Sequence, residues 1–161
     1  MFRISIFILV GIVHLMAGDI YLDAFHGIQN RRVFYYEQAY GDIDSFQVGV
    51  VQFKEEIKDN VYDFKLYSIS YRRYVTSQDY GVFYSFGVRS GPTKVHRLEK
   101  TETELLIMPY YDVGVKARLS DRWFHTIGLE VGYLMLYTDD INVQSILGFQ
   151  VTPSFSFGYR L

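Results

Sequence analysis

From Asp19 onward, apolar and polar residues alternate with a period of two, in about eight runs separated by turn chemistry. The final run is the clearest. Val151, Pro153, Phe155, Phe157, Tyr159 and Leu161 fall on one face, and Thr152, Ser154, Ser156, Gly158 and Arg160 on the other. Successive side chains of a strand point to opposite sides, so this reads as a strand with one bulky apolar face and one small polar face. The run before it repeats the pattern: Ile127, Leu129, Val131, Tyr133 and Met135 oppose Thr126, Gly128, Glu130 and Gly132. The pattern predicts strands over Ile20–Ile28, Val33–Tyr40, Ser45–Phe53, Val61–Tyr74, a fifth on Val82 to Arg89, then Glu104–Leu119, Trp123–Tyr137 and Asn142–Leu161. In the fourth, Tyr67, Ile69 and Tyr71 are read as facing one way, and Ser68, Ser70 and Arg72 the other. No stretch of this part sustains a helical period.

The breaks between these runs are Asn30–Arg32, Gly41–Asp44, a charged loop Lys54–Asn60, Thr76–Asp79, a long charged loop Gly91–Thr103, Ser120–Arg122 and Thr138–Asp140. Both long charged breaks fall at odd-numbered connections, on one end of an up-and-down sheet. The bulky face decides the architecture. In a closed sheet, large side chains belong on the wider outer circumference and small ones inside. A soluble barrel with an apolar lumen reverses this and would have to swallow Phe155, Phe157, Tyr159, Leu129, Tyr133 and Met135. An apolar exterior belongs in lipid, where backbone groups must be satisfied internally and a sheet must therefore close. The expected fold is an all-β, antiparallel up-and-down transmembrane barrel of about eight strands over residues 19–161. Tyr84, Tyr111, Tyr133, Tyr137, Trp123 and Tyr159 are read as interfacial girdles. Pro153 lacks a ladder donor, and a bulge is expected there.

Ahead of these strands, Met1-Phe2-Arg3 gives a basic start, Ile4–Val13 is apolar, and Ala17 or Gly18 precedes Asp19. That reads as a secretory signal peptide over residues 1–18, with a membrane anchor as the alternative; the apolar run is short of the ~20 residues that a spanning helix needs. Composition agrees with a barrel. The chain of 161 residues holds 15 Tyr and 13 Phe, yet its mean hydropathy is only +0.02. Alternation keeps a transmembrane barrel near neutral on average. Cysteine is absent, which excludes disulfides and thiol chemistry. A net charge of −2 carries no nucleic-acid signature.

The final strand, with Tyr159 two before the last residue and Phe157 and Phe155 behind it, resembles the closing strand of small bacterial outer-membrane barrels of the OmpA/OmpX type. Leu161 stands where that pattern usually has Phe. The resemblance implies residence in the outer membrane of a Gram-negative envelope. It implies as partners membrane lipid, lipopolysaccharide and the barrel-insertion machinery, which would read Phe155, Phe157, Tyr159 and Leu161. The resemblance does not give the role; the expected one is structural or surface-interacting, with a lipid-modifying enzyme or a narrow pore for small solutes as the alternatives. Outer-membrane lipid A deacylases and palmitoyltransferases use His and Ser, and this chain matches neither motif.

Candidate chemistry is sparse, and the residues suggest no cofactor, metal ligand set or phosphate loop. His96, near Thr93, Thr101 and Glu102, is the one candidate for a surface site; the blander reading is a solvated loop histidine. His125, beside Trp123, reads as interfacial. The assigned facings point Glu130, Asp112, Lys116, Arg118, Arg89 and Arg160 inward. A buried carboxylate must be paired, so Glu130 and Asp112 are expected to meet some of these bases. Arg118 and Arg160, near strand ends, have water as the alternative. Eight strands leave only enough room for side chains, so such a network would plug the lumen.

Overall fold

The computed structural model describes residues 18–23, 32–57, 60–78, 80–96, 100–137 and 148–161. Eight antiparallel strands close into one barrel. They are β1 (Asp19–Asp23), β2 (Arg32–Tyr40), β3 (Asp44–Ile57), β4 (Asn60–Tyr74), β5 (Gly81–His96), β6 (Thr101–Arg118), β7 (Trp123–Tyr137) and β8 (Gly148–Arg160). Each strand pairs with its sequence neighbours, and β1 pairs with β8, Asp19 opposite Arg160 and Leu22 opposite Phe157. The backbone N–H of Leu161 donates to Gly18 O at 3.0 Å, extending that seam by one bond. The expected signal segment up to residue 17 and the β7–β8 connection expected at Thr138–Asp140 lie outside the described residues. So do residues 24–31 and the first residues of the expected eighth strand.

The alternation places side chains as a lipid-facing barrel requires. Ile69, Phe86, Ile127 and Val151 are all more than half exposed on the outside. Ser68, Ser70, Ser85, Thr126, Thr152 and Ser156 are buried on the inside. Tyr67, Ile69 and Tyr71 do face outward in β4, with Ser68, Ser70 and Arg72 inward. At the end that carries the short turns, exposed Tyr40, Tyr80 and Trp123 ring the rim, and Trp123 meets Tyr159 edge-on at 5.0 Å. Tyr111, by contrast, sits mid-strand opposite Val131. Gly41 takes φ +78° in the β2–β3 turn, a conformation open to glycine at little cost. Gln78, in the β4–β5 turn, donates to Gly41 O at 2.8 Å and Asp44 O at 2.7 Å, tying two neighbouring turns together.

Three sequence expectations are corrected. Lys54–Ile57 and Asn60 belong to strands, and so do Gly91–His96 and Thr101–Thr103. The alternation continues through both charged segments: Thr93 and Val95 are fully buried, while Pro92 and Lys94 are exposed. Past the apolar zone the outer face of a strand turns polar, and charge there does not mark a loop. The third correction is Pro153. It pairs opposite Leu129, and Gly128–Ser154 and Glu130–Thr152 keep the same register, so no bulge interrupts β7–β8. A missing donor removes one ladder bond without inserting a residue.

The interior changes character along its length. At the open-connection end, opposite the short turns, it is apolar: Val33, Val51, Phe53, Tyr62, Phe64, Leu66, Val95, Leu106, Met108, Tyr110 and Leu134 form one buried cluster. Phe53 and Phe64 stack at 4.3 Å. A lumen of small polar side chains is therefore true only of part of the barrel. Where the wall is wet outside, the apolar face turns inward, as in a soluble barrel.

Candidate functional site

The polar part of the lumen is built from one or two inward residues of nearly every strand. Four buried carboxylates, Asp19, Glu37, Asp112 and Glu130, share it with buried Arg72, Arg89 and Lys116 and half-buried Arg160. The formal charges of these eight balance. Nearest the short turns, Asp19 of β1 accepts from Lys116 Nζ of β6 at 2.6 Å and from Arg160 Nε of β8 at 3.0 Å. One carboxylate thus braces the β1–β8 seam and the opposite wall.

Beside it, Glu37 of β2 is the most heavily bonded group of the lumen. It accepts from Tyr21, from Ser45 at 2.5 Å, from Tyr74 at 2.7 Å, from Gln47 at 3.2 Å and from Arg72 at 3.4 Å. Arg72 spans the lumen: its other terminal nitrogen donates to Asp112 at 3.2 Å, which also accepts from Ser85 at 3.3 Å. Its guanidinium lies 3.8 Å from the ring centre of Phe83. Deeper still, Arg89 holds both oxygens of Glu130 in a bidentate pair. Arg89 also donates to Tyr35 Oη at 2.5 Å and covers the Tyr110 ring at 4.2 Å. Tyr110 belongs to the apolar cluster, and Tyr35 packs against it.

Among the described residues, this polar part of the lumen is closely filled. A cavity of about 30 Å³ lies among Arg72, Arg89, Asp112 and Glu130, and one of about 20 Å³ lies next to Val51, Phe53 and Leu66. The larger has room for one or two waters. Asp112 Oδ1 has no hydrogen-bond partner among the described residues, which suits water in the larger space.

Of the residues singled out by sequence, Glu130, Asp112, Lys116, Arg89 and Arg160 meet in this lumen. Glu130 pairs with Arg89, one of the expected bases, whereas Asp112 pairs with Arg72, which sequence had faced inward without assigning it a partner. Arg118, expected inward with water as the alternative, follows the alternative and leaves the network. It lies beyond the rim, exposed, and binds Asp121 of the β6–β7 turn. Sequence reasoning missed Asp19, Glu37, Tyr21 and Tyr74 altogether. Glu37 carried a signal, since it lies in step with Val33 and Tyr35 on one face of the second strand, but the facing of that strand was open.

The His96 group does not assemble. Alternation puts His96 and Thr101 outside, where they hydrogen-bond at 3.1 Å, and buries Thr93 on the other face of the wall. Glu102 pairs with Lys100. His125 sits on the outside against Phe155, ring centres 6.1 Å apart. Phe155, Phe157, Tyr159 and Leu161 all project outward from the end of the chain, with Phe155 and Phe157 edge-to-face at 4.9 Å.

No family model matches the chain, and no curated protein sequence matches it. Solved structures do. The crystal structure of the N-terminal β-barrel domain of Pseudomonas aeruginosa OprF superposes with a TM-score of 0.67 at 10% identity, covering 90% of this chain and 97% of that one. The crystal structure of Neisserial surface protein A (NspA) gives 0.55 at 12% identity, covering 90% and 94%. The chain has the fold of the small eight-stranded outer-membrane barrels. The agreement runs over nearly the whole of both neighbours, so the barrel is a full-size member of that fold class, with strand number and closure in common. At such identity the likeness is one of fold.

Proposed function

We propose that this chain resides in the bacterial outer membrane as a closed barrel with a structural or surface-interaction role, acting through its outer wall and the connections opposite its short turns. The observation that carries this reading is the filled lumen. A balanced ion network and an apolar cluster occupy it in series, and the two cavities described above, among the described residues, are water-sized. An eight-stranded barrel is narrow enough for side chains alone to do this. The exposed aromatic and aliphatic exterior supports residence in lipid. An even number of strands returns both strand ends, Asp19 and Arg160, to one side of the bilayer. By the usual arrangement that side, with the short turns, is periplasmic.

The test has two parts. The protein should fractionate with the outer membrane and migrate faster on gels when unheated than when boiled. Vesicles containing it should not swell in sugar solutions. Recovery in the soluble periplasmic fraction would overturn the location, and rapid swelling would overturn the closed-lumen role.

A further inference from the structure

The outer wall of β2–β5 carries a second ordered feature. Register places Phe34, Val50 and Tyr67 in one outward row across three strands, the last apolar row on this side of the wall. The next row is Arg32, Gln52 and Lys65. The row after that is Lys54, Asp63 and Lys94. Inward neighbours Val33, Val51, Phe53, Phe64, Leu66, Thr93 and Val95 are all buried, which fixes the four bases on the outer face.

Arg32, Lys54, Lys65 and Lys94 thus come one from each of four successive strands and zigzag between two rows. Each is diagonal to the next, a spacing of about 7–8 Å that long side chains bridge. Arg32, Lys54 and Lys94 are exposed and Lys65 is half-buried. Asp63 is the carboxylate among them, 3.6 Å from Lys54, and Glu56 lies one row further out. Among the described residues of these two rows, four bases stand against one carboxylate, a net positive patch directly beyond an apolar row.

We propose that this patch seats the headgroup of a phosphorylated lipid of the surrounding leaflet, with its acyl chains on Phe34, Val50 and Tyr67. The occupant follows from two adjacent surfaces. The apolar row is continuous with the lipid-facing band, so whatever covers it has chains. The bases begin where the band ends, so the same molecule carries negative charge at the headgroup level. A headgroup with two phosphates spans the zigzag better than one, since no single phosphate reaches all four strands. Lysine ammonium groups bind phosphate as point charges, and Arg32 adds a bidentate donor. Asp63 holds Lys54 in place and costs some affinity.

This inference rests on the outer-membrane reading, and its test is made on the folded barrel in detergent micelles so that the two fail separately. Bis-phosphorylated lipid A is titrated in, and bound molecules are counted by native mass spectrometry, with the same lipid lacking both phosphates as the comparison. The native barrel should retain the phosphorylated lipid in preference. Replacing Arg32, Lys54, Lys65 and Lys94 together by Gln should weaken retention about tenfold or more, since each base near an anionic surface is worth a factor of about five. Asp63→Asn should strengthen it. Replacing Arg118 and Arg122 by Gln at the opposite rim should leave it unchanged. Equal retention by the native and four-Gln barrels, or equal retention of the dephosphorylated lipid, overturns the proposal. Should the four-Gln barrel fail to fold, the Asp63→Asn result alone decides, a loss of retention counting against the site.

Discussion

Glu130→Ala is the sharpest probe of the lumen. Glu130 and Arg89 are 6% and 7% exposed and pair through two bonds, so the substitution strands a buried guanidinium. What Arg89 keeps is Tyr35 Oη and the face of Tyr110; its Nε already lacks a partner among the described residues. Breaking a buried pair from one side costs about 3–5 kcal/mol, because the remaining charge is uncompensated. One feature pulls toward the lower end of that range. Asp112 lies directly opposite Glu130 in the β6–β7 ladder, so the native state holds two carboxylates side by side, and removing one relieves their repulsion. The expected loss is therefore about 3 kcal/mol. Denaturant titration of the barrel in lipid vesicles measures it, followed by the fluorescence of the single tryptophan, Trp123, which lies on the outer rim away from the change. The matched control replaces both partners, Arg89→Met with Glu130→Leu. Removing both charges should cost far less than removing one and leave the barrel close to native stability. A loss below about 1 kcal/mol for Glu130→Ala, the range of exposed pairs, would refute the dry, paired site. So would a double variant as unstable as the single one.

Two further changes test other parts of the barrel. Deleting Tyr159–Leu161 removes part of the β8 seam with β1, together with the Arg160 bond to Asp19, and should leave unfolded, degraded chain rather than inserted barrel in a heat-modifiability assay. Gly91→Ala would put a methyl group 2.1 Å from the backbone oxygen of Lys65, so β4 or β5 must shift, and the same denaturant titration should show a loss of about 1–3 kcal/mol.

The barrel was legible because lipid makes alternation visible: Ile127 to Met135 and Val151 to Leu161 declare their outer face without help from any neighbour. It became illegible where the solvent changed. In the described parts of Lys54–Asn60 and Gly91–Thr103 the outer face becomes charged, and the inner face becomes Phe53, Tyr62, Phe64 and Val95. Period two persists, but its sign inverts, and a segment judged by its charges reads as a loop. The lumen was legible in part for a related reason. Strand facing put Glu130, Asp112, Arg89 and Lys116 inside, but which charges meet depends on how far each strand slides past the next. Arg72 therefore found both Glu37 and Asp112, pairs separated by 35 and 40 positions in the chain. Asp19 lay just ahead of the expected first strand, and Glu37 lay in a strand whose facing was left open.

The central claim is that side chains close this lumen. Single-channel recording in a planar bilayer tests it most directly. The native barrel, inserted and folded, should leave the membrane without steady conductance, since Arg72, Arg89 and the ring of Tyr62, Phe64 and Leu106 stand in series across the path. Steady, large, uniform conductance steps from the native protein would contradict the account and establish the barrel as a pore.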